Sequence, residues 1–282
     1  MADTPPTVRR RRLAGELKRL REAAGLDQDA VAAALECDDS KISRIENARS
    51  GVRPIDLRKM LALYGVEDQA AVEAYVQLAK DSRQRGWWVQ FHGALSAQFS
   101  AFLGLESEAT KVFSYEVTFL PGLLQVPEYT RALMMGNRGS SDPNLLDERV
   151  AVRQRRQQLL ERSNFAFWVV VGEAALHHGV APPAVRKAQL LALVEHAERP
   201  NVEIQVLPLG SGLYSAIDSP FTLLHFGTGD PPVVYEDTAT GAVFVEAEDE
   251  VAVYDHAFHR LMAGALPPDE SVQLIQRIAE GL

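Results

Sequence analysis

The stretch QDAVAAALECDDSKISRIEN (28–47) is where residue type and spacing in this 282-residue sequence could do chemistry. Val31, Leu35, Ile42 and Ile45 recur at the spacing that turns apolar side chains of two successive helices toward one core. Ala32 is small where those helices approach most closely, and Cys37 fills the apolar position just after the turn between them. That packing leaves Ser40, Lys41, Ser43, Arg44 and Asn47 on the outer face of the second helix. An α-helix fits the major groove of DNA, where Arg reads guanine, Asn reads adenine, and Ser and Lys hold bases or phosphates. Gln28 opens the first helix, where its side chain and backbone N–H can meet a phosphate. Asp38 and Asp39 favour the dipole at the start of the second helix but repel phosphate, unless one accepts a hydrogen bond from cytosine N4. The expected DNA contacts are Gln28, Asp39, Ser40, Lys41, Ser43, Arg44, Asn47 and Arg49.

The surrounding elements follow from periodicity and caps. Leu13, Leu17, Leu20 and Ala24 mark a helix that Gly25 stops, and Asp27 suits the N-cap of the next. A third helix runs from Asp38 or Asp39 to about Asn47. Pro54 fits the first turn of a fourth, with Leu57, Met60, Leu61 and Tyr64 on one face. A fifth, from near Asp68, turns Val72, Tyr75, Leu78 and Ala79 inward. Polar DSRQRG (81–86) reads as a boundary. Beyond it, 86–106, 144–162, 183–198, 249–264 and 269–280 read as helical, and 165–172, 202–209, 221–226, 232–237 and 242–247 as strands. The fold expected is an N-terminal all-α five-helix domain followed by a C-terminal α+β domain with a small mixed sheet. Its divisions are 1–66 for DNA binding, 67–85 as a connecting helix, and 86–282 as a signal-receiving or partner-binding domain.

Charge divides the same way. The net charge of −9 comprises +2 over residues 1–85 and −11 over the remainder. DNA requires positive charge only where a protein meets phosphates, so the acidic remainder should project away from it. A small positive excess also predicts that one domain alone binds weakly and that the protein works as a homodimer. No apolar run approaches a membrane span, no secretory signal is evident, and the single cysteine excludes an internal disulfide, which together suit a cytoplasmic protein.

LKRLREAAGLDQDAVAAALE and SKISRIENARSGVRP resemble the Xre/Cro-repressor type of DNA-binding domain, which implies a lambda-repressor-like fold. The rest is similar to the actinobacterial WhiJ-like regulators. The residues carrying that resemblance are Gly86-Trp87-Trp88, the segment from Tyr115 to Gln125 with its LPGLLQ, and the helix bearing Arg149, Arg153 and Arg156. The resemblance implies a transcription regulator encoded beside a small partner protein, in an arrangement sometimes described as toxin–antitoxin-like. Glu36 departs from the pattern, standing where such turns usually carry glycine, so it must take a left-handed backbone or the turn differs.

Other features admit two readings each. Arg9 to Arg12 form either a minor-groove arm or solvated charge at a helix start. Cys37 reads as an inert, buried thiol rather than an oxidant sensor. His256 and His259, and His177 with His178, lack further ligands at defensible spacing, so no metal site is expected. Ser163, Ser211, Ser215 and Ser219 fall in no G-x-S-x-G elbow, and no P-loop or G-x-G-x-x-G occurs, so neither enzyme activity nor a cofactor is expected. Trp87, Trp88, Phe91, Tyr115, Phe119 and Leu123 line an effector pocket or seat the second domain's core. Arg149, Arg153 and Arg156 bind an anion or pair with carboxylates. The candidate partner- or effector-binding set is therefore Trp87, Trp88, Tyr115, Leu123, Arg153 and Arg156. The expected partners are double-stranded DNA and a small neighbour-encoded protein. A small-molecule effector, and an antitoxin-like protein that mainly sequesters its partner, are the rival readings.

Overall fold

The computed structural model describes residues 8–81, 86–136, 142–211, 219–227 and 230–282. Ser215 and most of the expected boundary stretch 81–86 lie outside them. The chain forms two compact units, Met1–Val89 with Ser100–Leu105, and Gln90–Phe99 with Glu106–Leu282.

In the first unit, α1 (Val8–Ala23), α2 (Gln28–Ala34), α3 (Asp39–Glu46), α4 (Pro54–Leu63) and α5 (Gln69–Asp81) surround one apolar core. Leu17, Val31, Ile42, Leu57, Met60 and Leu61 are fully enclosed there, and α5 adds Val76 and Ala79. The helix expected to connect the domains therefore belongs to the first core. Arg9 to Arg12 form the opening turns of α1, so the basic run is helical and not an extended arm. Asp27 caps α2, its Oδ1 accepting from Ala30 N at 2.8 Å. The tight α2–α3 turn places Glu36 at φ 53°, and the turn after α3 places Ala48 at φ 57°. L-residues enter this left-handed region at a cost, so both positions store strain offset by the packing on either side. Cys37 is half-buried against the core. Trp87 and Trp88 sit in a short 3₁₀ helix (Trp87–Phe91), edge to face with ring centroids 5.9 Å apart. The Trp88 ring covers Gly86 so closely that a Cβ there would collide with it.

Helix α6 (Ala97–Glu108) leads into the second unit, a mixed six-stranded sheet of order β3-β2-β1-β4-β5-β6. Its strands are β1 (Lys111–Glu116), β2 (Ala166–Gly172), β3 (Val202–Leu207), β4 (Phe221–His225), β5 (Val233–Thr238) and β6 (Gly241–Val245). The first three are parallel, which requires helical crossovers. Between β1 and β2 these are α7 (Pro127–Gly136) and α8 (Pro143–Arg156), and between β2 and β3 they are α9 (Glu173–His177) and α10 (Pro183–Ala197). Strands β4 to β6 continue antiparallel, and α11 (Glu248–Gly264) and α12 (Pro268–Glu280) complete the unit.

Strand β1 lies in the middle of this sheet and was not among the five strands expected from sequence. Its alternation divides two environments. Phe113 and Tyr115 join Phe221, Leu223 and Val234 against Val251, Phe258 and Leu261 of α11. Ser114 and Glu116 point to the opposite face. The LPGLLQ segment is held by buried amides. Gln189 of α10 accepts from Val126 N at 2.7 Å and donates to Leu124 O at 2.8 Å, while Gln125 Nε2 donates to Leu120 O at 2.7 Å.

Candidate nucleic-acid interface

Recognition of a duplex by a helix requires a rigid presentation of α3, and two charge clusters, each built around a buried carboxylate, supply it. Arg21 of α1 reaches Glu46 at the end of α3 through a bidentate pair, Nε to Oε1 at 2.7 Å and Nη2 to Oε2 at 3.0 Å. The same guanidinium donates to Leu26 O at 2.7 Å, and Gln28 Nε2 donates to Glu46 Oε2 at 2.9 Å. One carboxylate thus ties α1, the start of α2 and the end of α3 together. At the other end, Asp56 in the first turn of α4 accepts from Lys41 Nζ at 2.9 Å and from Arg53 at 3.0 and 3.1 Å. Burial alone would push the Asp56 carboxyl up, but the hydrogen bonds from Arg53 and Lys41 outweigh it and hold it below the ordinary range.

The eight expected contacts therefore separate into two groups. Gln28 and Lys41 are half-buried and spend their polar ends on Glu46 and Asp56, so they position the helices. Asn47, the C-cap of α3, donates through Nδ2 to Ser43 O at 2.8 Å and lies 3.3 Å from Ser43 Oγ, pairing these two at the helix end. Asp39 is exposed and its Oδ1 accepts from Ser40 N at 2.6 Å. Ser40, Arg44 and Arg49 are exposed, and the guanidinium groups of Arg44 and Arg49 make no hydrogen bond or ion pair among the described residues. Long donors on an exposed helix with nothing inside the protein to bind are what base-edge and phosphate contacts need. Sequence reasoning missed Arg21, Glu46 and Asp56. The partners lie 25 and 15 residues apart, so no local periodicity connects them.

The candidate set of the second domain is dispersed. Trp87 and Trp88 belong to the first unit, Tyr115 is packed beneath α11, and Leu123 is 2% exposed in the segment 122–124. Arg156 is locked to Glu106 at 2.7 and 2.8 Å, the carboxylate pairing expected for this helix, and Arg149 donates to Ala94 O at 2.8 Å. Arg153 differs from both, and with it Gly122, Glu116 and Tyr129, which sequence reasoning did not single out. His256 and His259 join no cluster of metal-ligand type among the described residues. No helix among them is long and apolar enough to cross a membrane.

The first unit is thus a helix-turn-helix domain of the kind found in DNA-binding regulators, and residues 12–74 match a helix-turn-helix domain family. Residues 99–277 match the family described as Domain of unknown function (DUF5753), and the chain belongs to it. No curated protein and no solved structure matches the chain.

Proposed function

We propose that the protein is a sequence-specific transcription regulator, not a catalyst, of the Xre type and the WhiJ-like kind. It reads the major groove with α3 and receives its signal through the C-terminal unit. The observation that carries this reading is the outer surface of α3. Arg44 is exposed and unengaged on a helix clamped at one end by Arg21–Glu46 and at the other by Lys41–Asp56, and Arg49 is exposed and unengaged in the bend that follows it. The small positive charge of this part supports action as a homodimer, because one reading head makes too few phosphate contacts to bind tightly. Two such heads related by a two-fold axis meet half-sites about 34 Å apart, or a multiple of it.

Two signals suit the C-terminal unit. A small basic protein is supported by the −11 charge beyond residue 85 and by the family resemblance, which also carries the antitoxin-like variant. A small molecule is supported by the arrangement around Arg153. The DNA half of the proposal is tested with full-length protein by selection from a random duplex pool, followed by footprinting of the enriched sequence. An inverted repeat protected over both halves is expected. Protection of one non-repeated site by a protein that light scattering shows to be monomeric removes the dimer. Absence of any enriched sequence removes specific reading.

A further inference from the structure

On the face of the sheet opposite α11, β1 presents Ser114 and Glu116, and α8 supplies Arg153 and Arg156 from successive turns. Arg156 is satisfied by its fork on Glu106 and by the Phe99 ring, 5.6 Å from its Cζ. Arg153 is not. Its Nε is closed off from solvent without a hydrogen-bond partner, and it forms no ion pair among the described residues. Glu116 and Asp237 act on it only from beyond ion-pair distance. Gly122 admits it, since a Cβ at that position would collide with Arg153 Nη1. Two more polar atoms are left open nearby. The Tyr129 hydroxyl, on a residue 2% exposed, has no hydrogen-bond partner at ordinary geometry; only the Leu120 backbone comes near. The Nε of Arg186 is also unpartnered, and Tyr129 lies within electrostatic reach of Arg186, Glu116 and Arg153.

A guanidinium with a buried N–H left without an acceptor and no ion pair costs free energy, and folds rarely tolerate one unless something else completes it. Here the surroundings are rigid. The backbone beside Gly122 is fixed by Gln125 and Gln189, and Gln154 and Gln157 donate to Gln125 O at 3.1 and 2.8 Å. Arg153 and Glu116 are half-buried rather than sealed, so each keeps part of its surface exposed. Burial pushes the Glu116 carboxyl up to about 7 against the lowering effects of Ser114, Arg153 and Arg156, so at neutral pH it can lend a proton to an incoming oxygen.

We propose that this recess binds a small organic anion, a carboxylate or a phosphate monoester, seated on the fork of Arg153 with the Tyr129 hydroxyl and the Glu116 carboxyl as further hydrogen-bonding groups. Planar, two-pronged acceptors match a guanidinium in this way. The proposal deepens the reading of the C-terminal unit as a signal receiver. It is tested without DNA, so its failure leaves that reading standing.

The experiment is thermal unfolding of full-length protein with succinate and with inorganic phosphate, for the wild type, Arg153→Met and Tyr129→Phe. Wild type is expected to rise in melting temperature with at least one probe, and the probe that acts identifies the anion class. Arg153→Met should lose the response while melting, without probe, no lower than wild type, because it removes an unpaired charge. Tyr129→Phe should weaken apparent affinity about tenfold, the worth of one net hydrogen bond, at unchanged stability. The proposal is overturned if neither probe shifts wild type, or if Arg153→Met responds equally. A fall in the unliganded stability of both variants also overturns it, since these groups would then be structural.

Discussion

Arg21 in the N-terminal unit and Arg153 in the C-terminal unit are both arginines set against the body of the fold, and their circumstances are opposite. Arg21 makes two bonds to Glu46 and one to Leu26 O, and Glu46 is further satisfied by Gln28. Arg153 is held beside Gly122 with its Nε unpartnered, and Glu116, the nearby acid, is itself pushed toward neutrality by burial. The carboxylates mirror the arginines, with Asp56 held down by two cations and Glu116 held up by desolvation. Charges that finish their bonding inside the protein build its shape, and charges left unfinished mark where something from outside completes them. In the N-terminal unit two such groups, the guanidiniums of Arg44 and Arg49, stand exposed on the surface, where the proposed reading places DNA; in the C-terminal unit the group is Arg153, set back beside Gly122.

The largest effect that would break this contrast comes from Arg21→Met. It strands Glu46 as a buried, uncompensated carboxylate, and about 3–5 kcal/mol of stability should be lost. Chemical denaturation reads this directly. The double variant Arg21→Met/Glu46→Leu should regain most of it, because replacing both partners leaves no orphaned charge. A single variant as stable as wild type would show that this pair shapes nothing.

Next in size is the pH response of the two carboxylates, which have opposite signs. Asp56 has a depressed folded pKa, so its contribution is present above the ordinary carboxylate range and is lost as pH falls through the folded value. The raised value of Glu116 gives a contribution fully present below its unfolded pKa of 4.5 and lost as pH rises through about 7. A shift of that size corresponds to roughly 3 kcal/mol as an upper bound. Glu116→Gln should therefore flatten the stability profile on its neutral side and leave the acid limb to Asp56. A profile unchanged in Glu116→Gln would mean that its burial is relieved by water.

Smaller again, Arg44→Ala should cost about 1–3 kcal/mol of specific DNA binding, the scale of one bidentate base contact, with circular dichroism and melting unchanged. Unaltered affinity in a gel shift would move the reading surface elsewhere on the domain. The smallest effect is expected at Glu36, whose backbone is left-handed at φ 53°. Glu36→Gly should gain up to about 1 kcal/mol, the strain of an L-residue there less the greater freedom of glycine in the unfolded chain. A loss in denaturation would mean that the Glu36 side chain stabilises the turn.

Much of this was legible in sequence where the physics is local. Helices α2, α3 and α4 follow from apolar spacing, the Asp27 cap and Pro54, and the strand-like runs 165–172 and 202–209 contain β2 and β3. For Glu36, standing at a glycine position, sequence left open a left-handed backbone or a different turn, and the structure has the former. Strand β1 escaped because KVFSYE matches neither strand pattern cleanly: adjacent Val112 and Phe113 break strict alternation, and Ser114 breaks the continuous apolar run that a central strand with both faces covered normally shows. Ser114 and Glu116 interrupt that run because they face away from the apolar core that takes Phe113 and Tyr115. Of the groups gathered in the recess sequence singled out Arg153, but what separates Arg153 from Arg156 is the presence of Glu106, 50 residues away, beside only one of them.

The buried glutamines beneath Gly122 have one further consequence. Gln125 and Gln189, at 1% and 0% exposure, clamp the 120–126 backbone with neutral amides that neither titrate nor respond to ionic strength. The platform therefore keeps its shape under the changes of acidity and salt that alter Glu116 and weaken contacts with DNA phosphates. If the recess binds an anion as proposed, it holds that solute against a reference that acidity and salt do not move.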